Sequence, residues 1–257
     1  MSPRRPPRPW VGAPTPIERS DLSGPRGLTE EVLREEEEDD SAAPAGSPAF
    51  YWSLLTPERK ARIQSVVDAR LQSVTVVLDR LLDPHNTAAV LRTAEGLGLA
   101  RAHVVPHDAS DAIAHRRVTQ DAHKWLEIDS HPSGAQAAQE LRARGYEVWA
   151  GHLAPGARLY TEVPADRPLA LLFGNEHEGP SAETLRACTG AFRIPMAGFT
   201  QSFNVSVAAA IALAQVTGAR RRHLGQAGDL PEEERVHLRD RFTVLAARLS
   251  GRLKSRG

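Results

Sequence analysis

Two neighbouring stretches between Leu169 and Gln215 constrain this chain more than any other part of it. Each begins with an apolar run typical of a buried strand, from Leu169 to Phe173 and from Phe192 to Met196. The two runs end in loops with the sequences GNEHEGP and AGFTQSFN, and an alanine-rich helix is predicted from Val205 to Gln215. Glycines in both loops allow close backbone approach or positive φ. Because ligands of open α/β sheets bind where strands end and helices begin, the two loops predict a cofactor pocket.

Short apolar runs alternate with helical patterns over the middle of the chain. The predicted strands are Val74 to Leu78, Ala102 to Val105, Glu147 to Ala150, Leu169 to Phe173 and Phe192 to Pro195. The predicted helices lie near Thr87 to Leu97, Gly134 to Arg144, Ser181 to Ala187 and Asn204 to Gln215. This alternation predicts an α/β fold, in which a parallel sheet carries helices on both faces.

A third polar segment, DPHNTAAVLRTAE, follows the first predicted strand directly. Asp83 or Asn86 can cap the helix that begins here. Arg92 follows Asn86 by about one and a half helical turns. Taken alone, Arg92 is expected to be a surface arginine that pairs with Glu95 or Glu176.

The segments NTAAVLRT, FGNEHEG and RIPMAGFTQSFNVSVAAAIAL, in this order, resemble the three motifs of the TrmH-type 2'-O-ribose branch of the SPOUT superfamily of RNA methyltransferases. The resemblance covers residues 74–217, more than half of the chain. It implies a SPOUT-type sheet whose C-terminal strands thread into a deep trefoil knot, a homodimer, and S-adenosylmethionine as cofactor. It also implies methylation of a ribose 2'-hydroxyl in RNA, and the helical extensions on both sides favour guanosine 18 of tRNA as the target.

The resemblance assigns the reacting centre to five polar residues, Arg92, Asn86, Glu176, Ser202 and Asn204. Methyl transfer to a hydroxyl depends mainly on positioning, and the hydroxyl must also lose its proton. In this branch the arginine that matches Arg92 is proposed to activate the 2'-hydroxyl. Arginine is a poor base because it stays protonated, so the physical alternative is that Arg92 binds phosphate and stabilises alkoxide charge. Asn86 would hold Arg92 or the ribose, and Glu176 would orient Arg92 or Asn204.

By the same resemblance, the cofactor pocket should consist largely of backbone groups that pair with the edge of the adenine. Its predicted residues are Ala150, Gly151, Gly174, Ile194, Met196 and Phe203. Phe203 stands where the branch usually has leucine, and Pro180 stands where an aliphatic residue is more common. Both departures affect local packing and leave the predicted cofactor unchanged.

The N-terminal part of the chain differs from the middle in composition. Residues 1–50 are rich in proline and contain an unbroken acidic run, so a disordered tail is predicted. Thr56 and Pro57 predict the start of a helix in an extension that spans residues 51–73. The basic residues expected on the surface of this extension are Arg59, Lys60, Arg62 and Arg70. The methyltransferase domain is predicted to follow at residues 74–217.

A basic C-terminal extension is predicted at residues 218–257, with an amphipathic helix from Leu238 to Leu253. This helix would grip tRNA, cap a core or form a dimer contact. The candidates for RNA contact in the whole chain are His85, Lys124, Arg59, Arg62, Arg220 and Arg221. Lys124 belongs to a Lys-Trp pair that can bind phosphate and stack a base, although a buried tryptophan with polar neighbours explains the pair equally well.

Other classes of protein are disfavoured by what the sequence lacks. No apolar run approaches the length of a membrane span, the N-terminus has no apolar signal region, and Cys188 is the single cysteine, so a cytoplasmic protein is expected. The spacing of His103, His107, His115 and His123 matches no zinc site, and no metal is predicted. Two alternatives to the tRNA enzyme stay open: a 23S ribosomal RNA ribose methyltransferase of the same superfamily, and a non-catalytic RNA-binding module with this fold.

Overall fold

The computed structural model describes residues 46–107 and 122–249. In chain order the helices and strands are α1 (Pro48–Ser53), α2 (Pro57–Asp68), β1 (Val74–Asp79), α3 (Pro84–Gly96), β2 (Arg101–Val105), α4 (Ala122–Trp125), β3 (Glu127–Ser130), α5 (Gly134–Ala143), β4 (Glu147–Gly151), β5 (Arg158–Leu159), β6 (Leu169–Gly174), α6 (Ala182–Ala187), β7 (Gly190–Arg193), α7 (Val205–Leu224) and α8 (Glu232–Leu249). A short 3₁₀ helix, Tyr160–Glu162, follows β5.

The strands of the described residues form one seven-stranded parallel sheet in the order β3-β2-β1-β6-β4-β7-β5. β1 lies between β2 and β6, and its pairing with β6 extends from Val74 opposite Leu169 to Asp79 opposite Gly174. Because parallel strands run in the same direction, their carboxyl ends lie side by side. The loops that follow Asp79 and Gly174 therefore start at adjacent positions, and two of the three sequence motifs meet there.

Alternate side chains of β6 lie in two separate hydrophobic cores. Leu169, Leu171 and Phe173 pack in the core that includes residues of α3 and α7. Ala170 and Leu172 pack in the core that includes residues of α5 and α6. All six residues of β6 are buried, which is typical of a parallel strand covered on both faces. The predicted parallel sheet with helices on both faces is confirmed.

Several elements differ from the predictions for identifiable physical reasons. The sequence predicts neither β3, an edge strand with a single apolar residue at Ile128, nor β5, which has only two residues. β7 begins earlier than predicted because Gly190 pairs with Trp149 of β4, where a Cβ would come within 2.7 Å of the indole ring. α7 continues past Gln215 to Leu224, and it ends at Gly225 with a positive φ of 67°.

The described residues divide into two compact units whose boundaries differ from those predicted. The sheet unit spans Arg70–Asp229, and the terminal-helix unit combines the described residues 46–69 with 230–249. The predicted boundary between residues 217 and 218 falls inside α7, which continues to Leu224. The two predicted extensions therefore contribute to a single unit. None of the described helices is long and apolar enough to cross a membrane.

In the terminal-helix unit, α8 packs against α1 and α2. The buried apolar residues of this unit include Leu54, Leu55, Ile63, Val67, Leu238 and Phe242. Arg239 lies over the ring of Trp52 at 5.7 Å, and Arg235 pairs with Asp68 at 2.6 Å. α8 begins at Glu232, before the predicted start at Leu238, and the predicted part beyond residue 249 lies outside the described residues.

The helix α1 corrects the prediction of a disordered tail over residues 1–50, because Pro48, Ala49 and Phe50 are helical. The Oγ of Ser47 accepts a hydrogen bond from the backbone N–H of Phe50 at 3.1 Å, which is the usual geometry of an N-cap. Residues 1–45 of the predicted tail lie outside the described residues.

Two predicted helix starts are confirmed by their caps. Thr56 Oγ1 accepts a hydrogen bond from the backbone N–H of Arg59 at 3.3 Å, and Pro57 is the first residue of α2. At the start of α3, Asp83 Oδ1 accepts from the backbone N–H of His85 at 2.8 Å. Because Asp83 is the cap, the side-chain amide of Asn86 is available for other partners.

Arg70 corrects a further prediction, because it is buried, with 1% of its side chain exposed, instead of lying on the surface. Its guanidinium donates to the carbonyl of Leu99 at 2.8 Å, to the carboxylate of Glu95 at 2.8 Å and to the carbonyl of Trp125 at 3.1 Å. A buried guanidinium requires partners of this kind, so Arg70 has a structural role in the sheet unit.

Candidate active site

Three of the predicted catalytic residues form one hydrogen-bonded chain. Asn86 Nδ2 donates to Glu176 Oε1 at 2.8 Å, and Asn204 Nδ2 donates to Asn86 Oδ1 at 3.0 Å. Each of these residues belongs to a different sequence motif. The fold therefore brings the polar ends of all three motifs to one place, at the carboxyl edge of the sheet.

Secondary structure places each of the three side chains. Asn86 lies in the first turn of α3, Glu176 lies in the loop after β6, and Asn204 is the N-cap of α7. The Oδ1 of Asn204 accepts from the backbone N–H of Ser206 at 2.8 Å and from its hydroxyl at 2.6 Å. This capping interaction directs the amide nitrogen of Asn204 away from α7 and towards Asn86.

The donors in this chain have one fixed direction. An ionised carboxylate can only accept, so Asn86 must present its NH₂ group to Glu176 and its oxygen to Asn204. Asn204 in turn presents its oxygen to the N-terminus of α7. Hydrogen bonds aligned in this way polarise one another, and they connect the positive end of the α7 dipole to the charge on Glu176.

Glu176 also binds the segment that joins β1 to α3. Its carboxylate accepts from the backbone N–H groups of Leu82 at 2.9 Å and Asp83 at 3.3 Å. Partial burial raises the pKa of Glu176, but the hydrogen bonds from Leu82, Asn86 and Asp83 together outweigh burial, so the pKa lies below its ordinary value. Glu176 is therefore ionised at neutral pH and holds the α3 motif in place.

The loop GNEHEGP folds back on itself because of its glycines and its asparagine. A Cβ on Gly174 would lie 2.2 Å from the backbone nitrogen of Pro180, and Gly179 has a positive φ of 69°. Asn175 Oδ1 accepts from the backbone N–H of His177 at 2.8 Å, which forms a side-chain turn. Asn175 is not among the predicted site residues, although an asparagine beside a glycine after a strand is a usual signal for such a turn.

Arg92 lies on the exposed face of α3, whose buried face packs in the core. His85, Ala89 and Arg92 share this exposed face at spacings of four and three residues. The alternative partners of Arg92 are engaged elsewhere, since Glu95 pairs with Arg70 and Glu176 binds Asn86. Among the described residues, no hydrogen bond or ion pair of the Arg92 side chain is found, which leaves its guanidinium accessible to a substrate.

The predicted cofactor residues differ in their accessibility. Gly151, Ile194 and Met196 are half-buried at the carboxyl edge of the sheet, and 38% of Phe203 is exposed. Gly174 is buried beneath the loop that it closes. Ala150 is fully buried in the α5 and α6 core, so in this structure it supports the pocket without a surface for a ligand.

Ser202 lies in the exposed loop before α7, two residues ahead of Asn204. The structure gives its hydroxyl no hydrogen bond to any described residue, so it is near the polar chain in sequence without joining it. Phe199 in the same loop is fully exposed.

The RNA-binding candidates fall into three groups. His85 is exposed beside Asn86, and Lys124 is half-buried in α4. Arg59 and Arg62 are half-buried on α2 of the terminal-helix unit. Arg220 and Arg221 lie near the end of α7 in the sheet unit.

The prediction for Arg220 is contradicted, because Arg220 is only 7% exposed. Its Nε donates to the hydroxyl of Ser73 at 2.8 Å, and Ser73 donates to the carboxylate of Asp229. Arg221 is also used internally, with bonds to the carbonyls of Ala227 at 2.7 Å and Leu97 at 2.8 Å. Burial lowers the pKa of Arg221. Both arginines stabilise the end of α7, and their internal hydrogen bonds argue against RNA contact by either one.

The predicted histidines do not converge on a metal site within the described residues. His103 is buried and bonds to His131, with 3.0 Å between Nδ1 and Nε2. His107 is exposed, and His115 and the side chain of His123 lie outside the described residues.

Comparison with known proteins identifies a matching protein family and similar curated proteins. Residues 73–214 match the SpoU rRNA Methylase family. The tRNA (guanosine(18)-2'-O)-methyltransferase of Thermus thermophilus is 39% identical over 158 residues, which are 62% of this chain and 81% of that protein.

Solved structures give a consistent result. The TrmH/SpoU tRNA modifying enzyme of A. aeolicus aligns with a TM-score of 0.66 and 28% identity, over 74% of this chain and 96% of that one. An AdoMet-bound rRNA methyltransferase from Sinorhizobium meliloti aligns with a TM-score of 0.51 and 30% identity, over 62% of this chain and 60% of that one. These similarities confirm the resemblance that the three motifs indicate, and the chain belongs to the SpoU rRNA methylase family.

Proposed function

We propose that this protein transfers a methyl group from S-adenosylmethionine to the ribose 2'-hydroxyl of guanosine 18 in tRNA. The observation that carries the proposal is the hydrogen-bonded chain of Glu176, Asn86 and Asn204, whose central residue, Asn86, lies on the same helix as the accessible Arg92. The similarity to the Thermus thermophilus enzyme, which is named for this reaction, supports the choice of substrate.

The loops at the carboxyl edge of the sheet fit the cofactor that the family uses. Gly151 offers backbone groups, and Ile194 and Met196 offer apolar surface for an adenine ring. The close approach of Gly174 to Pro180 leaves no room for a side chain, so a glycine there lets the loop fold back on itself. When bound, S-adenosylmethionine supplies a methyl group on a positively charged sulfur.

The polar residues around this pocket would act mainly through position and charge. The guanidinium of Arg92 carries a positive charge, so Arg92 would stabilise the negative charge that develops on the 2'-oxygen and bind a neighbouring phosphate. Asn86 and Asn204 hold fixed amide dipoles beside the ribose, and Glu176 fixes the orientation of both. Ser202, in the exposed loop before α7, would line the reacting centre, a role that rests on the family resemblance.

RNA contact outside the reacting centre is proposed for His85, Lys124, Arg59 and Arg62. His85 shares the exposed face of α3 with Arg92, at a separation of about 10 Å along the helix axis. Arg59 and Arg62 would bind tRNA from the terminal-helix unit. A tRNA substrate also places the proposed activity in the cytoplasm.

We also propose that the active form is a homodimer and that the C-terminal strands form the trefoil knot implied by the family resemblance. Large apolar side chains are exposed beside the polar chain, and such exposure is uncommon unless a partner covers it. These residues are Leu82, Phe199, Phe203 and Val207. Sedimentation equilibrium would test the dimer, and monomeric behaviour of the active enzyme would contradict it.

Methyl transfer from labelled S-adenosylmethionine to unmodified tRNA, followed by mapping of the modified nucleotide, tests the proposed activity. A 23S ribosomal RNA fragment belongs in the same assay because the similar S. meliloti protein is an rRNA methyltransferase. We expect label on guanosine 18 of tRNA and its loss in Arg92→Ala. Label on the ribosomal fragment alone would identify ribosomal RNA, instead of tRNA, as the substrate. Label on neither RNA would favour a non-catalytic RNA-binding module.

A further inference from the structure

We propose that Arg80 binds a phosphate of the RNA beside the target nucleotide, an inference that rests on the proposed function. Arg80 follows the last residue of β1 and precedes the segment held by Glu176. Three observations support this assignment: the backbone conformation of Arg80, the anchoring of its guanidinium, and its position next to the polar chain.

The backbone of Arg80 has a φ of 55°, and among the described residues it is the only non-glycine residue with a positive φ. Glycine or asparagine adopts this left-handed conformation with less strain than arginine. The backbone alone therefore gives no reason for an arginine. Strained residues of this kind cluster at functional sites, so the side chain is the part to explain.

Neighbouring strands and loops impose this conformation. The backbone N–H of Arg80 donates to the carbonyl of Val105 at the end of β2, at 3.0 Å. Its carbonyl accepts a long hydrogen bond of 3.5 Å from the side-chain amide of Asn175, in the loop after β6. Arg80 is thus fixed between the two strands that flank β1.

The guanidinium of Arg80 is anchored at one atom and open at the others. Nε lies 3.3 Å from a carboxylate oxygen of Asp79, while the other oxygen of Asp79 accepts from the hydroxyl of Thr184 at 3.1 Å. Asp79 is 1% exposed, whereas 45% of the Arg80 side chain is exposed. No further hydrogen bond of this guanidinium is found among the described residues, so its two terminal NH₂ groups remain for a ligand. A planar fork of donors held in this way suits a phosphate.

Arg80 is also close to the reacting centre along the chain. Leu82, whose N–H binds Glu176 at 2.9 Å, is two residues away, so the two Cα atoms are at most about 7 Å apart. The proposed site places a phosphate next to the target ribose at the end of β1, where the Arg80 side chain begins. The neighbouring phosphate is the group of the substrate that matches a guanidinium.

The test compares Arg80→Asn with the unchanged protein. Asparagine tolerates positive φ, so this variant removes the guanidinium and keeps the backbone conformation. We expect the KM for tRNA to rise about 5- to 10-fold. The kcat and the KM for S-adenosylmethionine should stay unchanged, and the melting temperature should stay unchanged or increase. The slope of log affinity for tRNA against log salt concentration should become shallower by roughly 0.7 to 0.9.

Two further variants sharpen the result. Arg80→Lys keeps the charge without the planar fork of donors, and it should recover part of the tRNA affinity. Arg167→Asn is the matched control, because Arg167 is 58% exposed and precedes β6 at the opposite end of the sheet from the reacting centre. Arg167→Asn should leave the slope of log affinity for tRNA against log salt concentration (the salt slope) unchanged.

An unchanged tRNA KM and salt slope in Arg80→Asn would overturn the proposal. A raised KM for S-adenosylmethionine alone would also overturn it, because Arg80 would then bind the cofactor. Failure of the unchanged protein to methylate tRNA would contradict the proposed function instead, and the salt slope of tRNA binding would still decide the role of Arg80.

Discussion

Asn86 donates a hydrogen bond of 2.8 Å to Glu176, a residue 90 positions later in the chain. The same amide accepts a hydrogen bond of 3.0 Å from Asn204, so both of its polar atoms are used. Only an amide provides a donor and an acceptor at this spacing on a short side chain. Asn86 therefore connects a carboxylate to the N-cap of α7, and substitutions there should separate the role of shape from the role of hydrogen bonding.

Asn86→Asp is expected to lower kcat by about 100-fold, which corresponds to about 2.7 kcal/mol. The substituted carboxylate cannot donate to Glu176, and at 2.8 Å the two negative charges would repel each other. Cofactor affinity should change less than kcat, because Asn86 is not among the predicted cofactor residues. Single-turnover methyl transfer and calorimetric binding of S-adenosylmethionine measure the two effects separately.

Asn86→Ala supplies the control for this experiment, since it removes the amide without adding charge. The kcat of Asn86→Ala should fall less than the kcat of Asn86→Asp. Equal activity of the unchanged protein and Asn86→Asp would show that the hydrogen bond to Glu176 has no part in the reaction.

Arg92→Ala is expected to reduce methyl transfer by about 10²- to 10³-fold, the range measured when a single charge-stabilising donor is removed. Stability should change by no more than about 0.5 kcal/mol, because Arg92 is exposed. Arg92→Lys should retain part of the activity if charge is the main contribution. Activity of Arg92→Ala close to that of the unchanged protein would contradict the proposed electrostatic role.

The sequence predicts the parts of the site whose signals are local. Asp83 and Thr56 cap helices as expected, because capping depends on residues within a few positions. The apolar runs at β1 and β6 give the parallel sheet, since buried strands are continuous in hydrophobicity. The family resemblance predicts Asn86, Glu176 and Asn204 as site residues, and the structure brings all three into contact.

The sequence does not predict partners that depend on tertiary contacts. Arg70 and Arg220 belong to basic surroundings in the sequence, yet both guanidinium groups are buried against carbonyls or side chains from distant segments. Arg80 has no sequence signal at all, because its left-handed backbone is imposed by Val105 and Asn175. Long-range hydrogen bonds decide these cases, and they leave no periodic pattern.

Stability should depend on pH through His103. Burial lowers its pKa from the ordinary value of 6.5 to about 4, and Asp129 only partly opposes this effect. Between about pH 6.5 and pH 4 the unfolded chain therefore binds a proton that the folded chain does not. The free energy of unfolding should rise with pH across this window, by at most about 1.4 kcal/mol per pH unit from this group.

Urea denaturation at several pH values from about 4.5 to 7 measures this slope. His103→Gln should flatten it, whereas His107→Gln should not, because His107 is exposed. If His103→Gln kept the full slope, another group would have to be responsible for the pH dependence.

Arg220→Ala is expected to destabilise the protein by about 2–4 kcal/mol, because it removes a buried guanidinium and leaves the carbonyl of Ala165 and the hydroxyl of Ser73 with one partner fewer. Arg222→Ala is the matched control on the same helix. Arg222 is exposed, so its removal should change the free energy of unfolding by no more than about 0.5 kcal/mol. Thermal and urea denaturation provide both values.

The same pair of variants distinguishes a structural role for Arg220 from RNA contact. A structural role predicts a lower melting temperature, together with an unchanged salt slope of tRNA binding at temperatures where the variant is folded. RNA contact predicts the reverse, a normal melting temperature with weaker and less salt-dependent binding. Because the Nε of Arg220 lies 2.8 Å from the hydroxyl of Ser73, and Ser73 in turn binds Asp229, we expect the first result. The second would mean that the end of α7 opens when RNA binds.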